Sequence, residues 1–422
     1  MSIEDPRRHL APVWSRYTDI LAVRGEGPYI VAEDGRRYLD FTCGIGVTNT
    51  GHCHPRVVAA IQEQAASLLH GQINILYHRP VLELVEELLP EMPGQIDTFF
   101  FANSGAEAIE AAMKLARAAS GRDGIICFQG SFHGRTSGAL AVTNSKASYR
   151  QHAGPLSGSA YVTTYPYCLR CPRQGQSEGC CQNRLQDLRE LLATRVAPEN
   201  VAAILVEPVL GEGGYVVPPA WFLPALRELC DRHGMLLIAD EVQTGFGRTG
   251  KMFAIEHTGT VPDILVMAKG LGSGLPISAV ASTHALMERW TPGTHGGTYG
   301  ANAVACAAAS ATIRVIRESG LVENAAAMGA ILLARLREVA IDHPDIVDVR
   351  GLGLMLAVEF AAPDGSPYGT RAKHVLHACV DQGLLILTCA PRDNVLRLIP
   401  PLIIAEQQVD EAVEMFRRAL AA

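Results

Sequence analysis

Lys269 closes a short apolar run, Ile264-Leu-Val-Met267-Ala, and a glycine-rich turn, Gly270-Leu-Gly-Ser-Gly274, follows it at once. The run reads as a buried strand, and the turn ends it. A lysine at the end of a buried strand is a costly choice unless its amine is used. Desolvation lowers an amine's pKa and frees the lone pair that Schiff-base chemistry needs. Taken alone, the position also suits a lysine that simply reaches solvent.

Five other stretches bear on the choice. Ala102-Asn-Ser104-Gly105-Ala106-Glu107 is the end of a strand, a turn and the start of a helix. Ser104 and Glu107 have the spacing of a capping box, and the free N–H groups of Gly105 and Ala106 would face a phosphate-sized anion. Gly130-Ser-Phe132-His-Gly-Arg135-Thr136 offers an aromatic face that can stack on a planar ring and a guanidinium that can hold a carboxylate. Asp240 ends the apolar run Leu236 to Ala239, and Gln243 lies three residues on. A buried aspartate needs a cationic partner or several donors, and a protonated pyridine nitrogen would be such a partner. Two loops complete the set: one carries Glu207 and Glu212, and Gly293 to Gly300 presents the hydroxyl of Thr298. Singly, each has an ordinary explanation: a capped helix, a core phenylalanine beside a turn, an aspartate capping the next turn, a solvated loop. Together they form a phosphate site, a ring-stacking face, a strand-end acid and a strand-end amine. A phosphorylated pyridine aldehyde would engage all four.

The elements that must carry these residues follow from hydrophobic patterning. From about residue 97, strand-like runs (98–102, 124–129, 201–209, 235–242, 263–268, 277–282) alternate with helix-like runs (106–119, 183–195, 219–233, 301–319). Such alternation predicts an α/β fold with a mostly parallel sheet flanked by helices, whose ligands sit where strands end and helices begin. The strands on either side of the Glu33-Asp-Gly35 turn and the mixed carboxyl-terminal region predict a smaller α+β domain. The expected division is a large cofactor-binding domain at 56–325 and a small domain built from 1–55 and 326–422. A chain of 422 residues, 48% hydrophobic and 19% charged, can bury cores of that size. Net charge is −7 with no basic stretch, which argues against nucleic-acid and anionic-membrane partners. The stretch Met1 to His9 lacks the apolar core of a signal peptide, and Ala301 to Ile316 is too short and too polar for a membrane span. A cytoplasmic protein is expected, with its 11 cysteines mostly as free thiols and no metal site.

The motifs Phe41-Thr-Cys-Gly-Ile45-Gly-Val47, Gly51-His-Cys-His-Pro55, Ser104-Gly-Ala-Glu-Ala108, Phe132-His-Gly-Arg-Thr136, Gly211-Glu-Gly-Gly214, Asp240-Glu-Val-Gln-Thr-Gly-Phe-Gly-Arg-Thr-Gly250, Lys269-Gly and Thr298-Tyr-Gly300 resemble those of the class III aminotransferases. The resemblance spans residues 41 to 397. It implies the type I fold of pyridoxal 5'-phosphate enzymes and a ping-pong transfer of an amino group through pyridoxamine phosphate. It also implies roles: Lys269 as the Schiff-base lysine and proton carrier, and Asp240 on the pyridine nitrogen. Gln243 would bond the ring hydroxyl oxygen and Phe132 stack on the ring. Ser104, Gly105 and Ala106 would sit at the phosphate, with Thr298 given to it across a homodimer or dimer-of-dimers interface. Arg397 would bind the α-carboxylate of a 2-oxo acid, and Glu212 would pair with Arg397 when an ω-amino donor binds. Arg135, beside Ile45, would take the distal carboxylate. Within the family the chain is most similar to the 4-aminobutyrate and ω-amino acid enzymes, with 2-oxoglutarate as an expected acceptor. Acetylornithine aminotransferases share most of the motifs.

One segment departs from that pattern. Tyr165-Pro-Tyr-Cys168-Leu-Arg-Cys171-Pro, followed by Cys180-Cys181, has a zinc-knuckle half, although adjacent cysteines are awkward ligands for one tetrahedral ion. Disulfides and free thiols are the alternatives. A similar segment occurs in class III relatives that include amino-acid racemases, so a racemase or epimerase is the rival expectation. A cofactor-binding regulator without turnover lacks the basic DNA-binding domain it would need.

Overall fold

The computed structural model describes residues 5–171 and 183–422. Three strands open the chain, β1 (Ala22–Glu26), β2 (Tyr29–Ala32) and β3 (Arg37–Asp40). The central sheet is built from β4 (Thr98–Ala102), β5 (Gly124–Phe128), β6 (Ala160–Thr163), β7 (Val201–Val206), β8 (Leu236–Asp240), β9 (Ile264–Met267) and β10 (Ser278–Ser282). Its seven strands lie in the order β4-β10-β9-β8-β7-β5-β6. Neighbours are parallel from β9 through β6, and β10 runs antiparallel to both β9 and β4. The mostly parallel α/β fold read from the alternation is therefore present. β7 and β9 are buried at every position, as their unbroken apolar runs require of strands covered on both faces. Each fully buried Leu or Ile there contributes roughly 1.5–3 kcal/mol through area removed from water.

The strands end earlier than the expected runs do. β7 stops at Val206 and β8 at Asp240, short of the expected limits at 209 and 242, because Glu207-Pro208 and Glu241 interrupt the apolar residues there. The last residues of each run leave the ladder and turn into the loops that carry Glu207, Gln243 and their neighbours. β6 escaped the sequence reading because four residues between turns carry little periodicity.

Beyond the helix Ala303–Glu318, Gly320 takes a left-handed φ of 60° and opens the helix Leu321–Ile341. That helix runs across the boundary expected at 325–326. After it come β11 (Ile346–Leu352), β12 (Met355–Phe360), a helix Gly369–Gln382, β13 (Leu384–Leu385), β14 (Leu387–Cys389), β15 (Val395–Leu398) and a last helix Glu406–Ala421. β13 pairs in parallel with β3, so both ends of the chain share a sheet, ordered β1-β2-β3-β13. A further sheet, β11-β12-β15-β14, holds Arg397 opposite Ala357. No single described helix is long and apolar enough to cross a membrane.

Candidate active site

Six of the seven central strands run the same way, and the candidate residues gather at their carboxyl edge. Asp240 is the last residue of β8, Glu207 follows β7 and Lys269 lies just past β9. The loop with Phe132 and His133 leaves β5, and Ser104 and Gly105 leave β4. Residues separated by up to 165 positions therefore meet because parallel strands bring their ends to one rim.

Lys269 stands at φ 44°, a left-handed backbone that lysine seldom adopts. Such conformations persist where surrounding structure imposes them, and they cluster at functional sites. Its side chain is half-buried. Burial and, after it, the Arg397 guanidinium lower its amine to about 8, against the opposing pull of Asp240, Glu207 and Glu212. Among the described residues no hydrogen bond or ion pair engages the amine. The amine is thus more readily deprotonated than an ordinary lysine's and has no competing partner among the described residues, which are the properties a Schiff-base nucleophile needs.

Asp240 is 4% exposed. Its Oδ2 pairs with His133 Nδ1 at 2.6 Å, and its Oδ1 accepts from the Val242 N–H at 3.0 Å. Behind it, Glu207 accepts from the Phe132 N–H at 2.8 Å and the Gly211 N–H at 2.7 Å. Burial pushes the Glu207 carboxyl up to about 7, with nearby His133 opposing and Asp240 reinforcing the rise. Glu207 thus ties the ring-stacking loop to the loop that carries Glu212. Gln243 Oε1 and His133 Nε2 are buried with no partner among the described residues. A buried polar atom left unpaired is costly, which marks Gln243 as a side chain prepared for a ligand.

Ser104 caps the helix Gly105–Ser120. Its Oγ accepts from the Glu107 N–H at 3.3 Å, while Glu107 Oε2 accepts from the Ser104 and Asn103 N–H groups at 2.8 and 2.9 Å. The cap uses none of the N–H groups of Gly105 and Ala106. A Cβ on Gly105 would stand 3.0 Å from Val242 Cγ1, so the helix start is pressed against the Asp240 loop. Gly134, at φ 137°, would meet Ala106 Cβ at 2.6 Å. Only glycine lets the Phe132 loop come so close to the start of the helix, where the free N–H groups and the positive dipole end lie.

On the substrate side, Arg397 is 4% exposed and donates from Nη1 to Glu212 Oε2 at 2.8 Å. Tyr149 donates its hydroxyl to Glu212 Oε1 at 3.0 Å, and Lys146 Nζ lies 3.4 Å from the same oxygen. Lys146 is itself anchored on Asp393 at 2.5 Å. Arg135 is exposed and lies over two rings, 4.6 Å from the centre of Tyr149 and 5.6 Å from that of Phe132. No carboxylate among the described residues pairs with it. Ile45 is exposed at φ 68°, within a run of left-handed residues from Cys43 to Gly46. Thr298 lies in the exposed stretch 291–299, where no described hydrogen bond engages it.

The structure therefore gathers Lys269, Asp240, Gln243, Phe132, Gly105, Ala106, Glu212 and Arg397 around one rim, with Arg135 and Ile45 toward solvent. It adds His133, Glu207 and Tyr149, to which sequence reasoning gave no role. The sequence held one signal for His133: a buried strand-end aspartate needs a donor, and His133 is the titratable neighbour of Phe132. Of the cysteines, Cys43, Cys127, Cys230, Cys306, Cys379 and Cys389 are buried free thiols. Cys168 is disulfide-bonded, one of the alternatives held open for that segment. Cys180 and Cys181 lie outside the described residues.

A family model described as aminotransferase class-III matches residues 10–420. A 5-aminovalerate aminotransferase of Pseudomonas aeruginosa is 41% identical over 397 residues, covering 93% of this chain and 92% of the relative. A 4-aminobutyrate aminotransferase of Escherichia coli is 40% identical over 400 residues, covering 94% and 92%. An acetylornithine aminotransferase of Archaeoglobus fulgidus is 40% identical over 413 residues, covering 98% of each. Among solved structures, an amine transaminase of an uncultivated Pseudomonas species with pyridoxal phosphate bound superposes with a TM-score of 0.90. It is 31% identical and covers 100% of this chain and 97% of that one.

Proposed function

This chain belongs to the class III aminotransferases and uses pyridoxal 5'-phosphate, and from that premise we propose that it moves the amino group of an ω-amino acid, of the 4-aminobutyrate or 5-aminovalerate type, to a 2-oxo acid such as 2-oxoglutarate. The orphaned Gln243 oxygen, the unpartnered Lys269 amine and the open helix start fit the cofactor's ring hydroxyl, aldehyde and phosphate. Gly105 and Ala106 would hold the phosphate, Phe132 would lie on the ring, and Asp240 would pair with the protonated pyridine nitrogen. When bound, the cofactor supplies an electron sink for the electrons of the substrate Cα–H bond. Lys269 Nζ takes and returns the proton. His133 orients Asp240 and shares its charge.

The observation that carries the donor class is the Glu212–Arg397 ion pair, 2.8 Å long. It neutralises the buried guanidinium, so a donor without an α-carboxylate meets no unpaired cation at that position. Arg135, exposed and unpaired among the described residues, takes the single carboxylate of an ω-amino acid. A 2-oxo acid displaces Glu212 and seats its α-carboxylate on Arg397, while Tyr149 and Lys146 remain beside the freed Glu212. Removing the shielding charge should invert the preference. In Glu212→Gln, the ratio of kcat/KM for 4-aminobutyrate to that for L-glutamate is expected to fall about 10- to 100-fold, because a buried cation left unpaired recruits any α-carboxylate. The two donors are compared in single half-reactions followed on the cofactor absorbance, without acceptor. An unchanged ratio would remove the basis for the donor assignment.

The lowered amine of Lys269 sets a pH dependence. The uncharged form captures an aldehyde, so in the apoenzyme the rate of cofactor capture is expected to climb about tenfold per pH unit and level off above pH 8. An unperturbed lysine would go on climbing to about pH 10.4. The same sign applies to folding. The neutral amine is favoured in the native state, so its stabilising contribution is present above the unfolded lysine pKa and lost as pH falls through about 8. Stopped-flow capture rates between pH 6 and 10 decide between the two profiles.

The active unit is read as a homodimer or larger, with Thr298 reaching the partner's phosphate. Its exposure, together with the apolar residues Ile75 (80% exposed), Tyr77 (80%) and Tyr299 (65%), supports that reading. A catalytically competent monomer in sedimentation at micromolar concentration would refute it.

A further inference from the structure

The segment Tyr165 to Cys171 takes no part in the chemistry above, yet it reaches the substrate switch through one buried carboxylate. Glu359 in β12 is 1% exposed. Arg170 donates to its Oε1 from Nε at 2.8 Å and from Nη2 at 2.5 Å, and Tyr167 donates its hydroxyl to Oε2. From the other side Arg350 Nη1 donates to Oε2 at 2.7 Å, and the Arg350 guanidinium lies 5.1 Å from the centre of the Tyr167 ring. Arg350 Nε then donates to the carbonyls of Gly214 and Tyr215 at 3.1 and 3.2 Å. Those carbonyls belong to the loop that presents Glu212. Asn394, three residues before Arg397, donates to Glu359 Oε1 at 3.3 Å. One carboxylate therefore joins the Tyr165 segment, the Glu212 loop and the Arg397 strand.

We propose that Arg170 and Tyr167 are positioning residues for the Glu212–Arg397 switch, holding the Glu212 loop in register through Glu359 and Arg350. The proposal rests on the reading of Glu212 given above. Its physical basis is competition for one buried anion. With Arg170 in place, Oε1 is satisfied by Arg170, and Arg350 divides its donors between Oε2, Asp348 and the two loop carbonyls. Without Arg170, Oε1 keeps only Asn394, and a buried carboxylate short of donors draws Arg350 toward itself. The bonds to Gly214 and Tyr215 then loosen, and Glu212 covers Arg397 less completely. α-Amino acids gain access to Arg397, and ω-amino donors lose their advantage. Arg170 is the better handle because its side chain is 30% exposed, whereas Arg350 is deep in the network.

The test uses the holoenzyme and the same two half-reactions, with 4-aminobutyrate and L-glutamate as probes. Arg170→Met is expected to lower their kcat/KM ratio about tenfold, with Arg170→Lys recovering most of it. Tyr167→Phe, which keeps the ring under Arg350 and removes only the hydroxyl, should shift the ratio in the same direction by a smaller factor. The decisive comparison is non-additivity: in a Glu212→Gln background, Arg170→Met should change the ratio no further. An equal shift in both backgrounds overturns the proposal. So does a parallel loss of both half-reactions with the ratio intact, which is the signature of packing alone. If Glu212→Gln itself leaves the ratio unchanged, the reading of Glu212 fails first, and the proposal falls with it.

Discussion

Replacing Lys269 by alanine should lower turnover by about 10⁴-fold or more, the upper range for a positioned group that carries the proton in each half-reaction. The size follows from how little else at the rim could substitute. Asp240 is engaged by His133 and the Val242 N–H, and Glu207 is engaged by two backbone N–H groups. The other nearby amine, Lys146, is committed to Asp393 and Glu212. No second amine is free to take over. The variant should fold, since Lys269 makes no described hydrogen bond that alanine would orphan. Its left-handed φ of 44° costs an alanine about as much as a lysine. Steady-state turnover with 4-aminobutyrate and 2-oxoglutarate measures the loss. Recovery of a measurable rate with an added small primary amine would show that the missing group is the amine and not the fold.

Asp240→Asn should cost about 10²- to 10³-fold in kcat, the usual toll for removing one preorganised charge from a desolvated site. The amide preserves shape, and its one oxygen can still accept from the Val242 N–H, while its NH2 faces His133. What disappears is the negative charge that we propose holds a proton on the pyridine nitrogen. The expected pattern is a lowered kcat with donor KM changed by less than about threefold, because the proposed partner of Asp240 is the cofactor and not the substrate carboxylate. A loss of cofactor affinity that accounts for the whole effect would instead make Asp240 a binding residue. Equilibrium dialysis of the cofactor against the variant separates the two.

Parts of this site were readable in the sequence because they are local. Lys269 and Asp240 end apolar runs, and the Ser104–Glu107 capping box spans four residues. The parallel sheet announced itself through alternation, and with it the edge where strand ends meet. Long-range pairings left no such trace. His133 and Asp240 stand 107 positions apart, and Glu212 and Arg397 stand 185 apart. No spacing rule connects them; the second pair was anticipated only through the family resemblance. Glu207 looked like an ordinary loop carboxylate until its two backbone donors appeared. Glu359 reads in sequence as one charged residue near the end of an apolar strand, and only the fold reveals that three segments converge on it. The short strands β6 and β13 to β15 were missed for a different reason. Pairing with neighbours, not their own periodicity, makes them strands.

Covalent trapping decides whether the Lys269 amine carries the cofactor. The holoenzyme is reduced with borohydride, digested and sequenced by mass spectrometry. The reduced cofactor is expected on the peptide containing Lys269-Gly-Leu-Gly-Ser-Gly274, and prior incubation with 4-aminobutyrate, without acceptor, should abolish the label. A label on Lys146 or any other lysine, or a label that survives the donor, would contradict it.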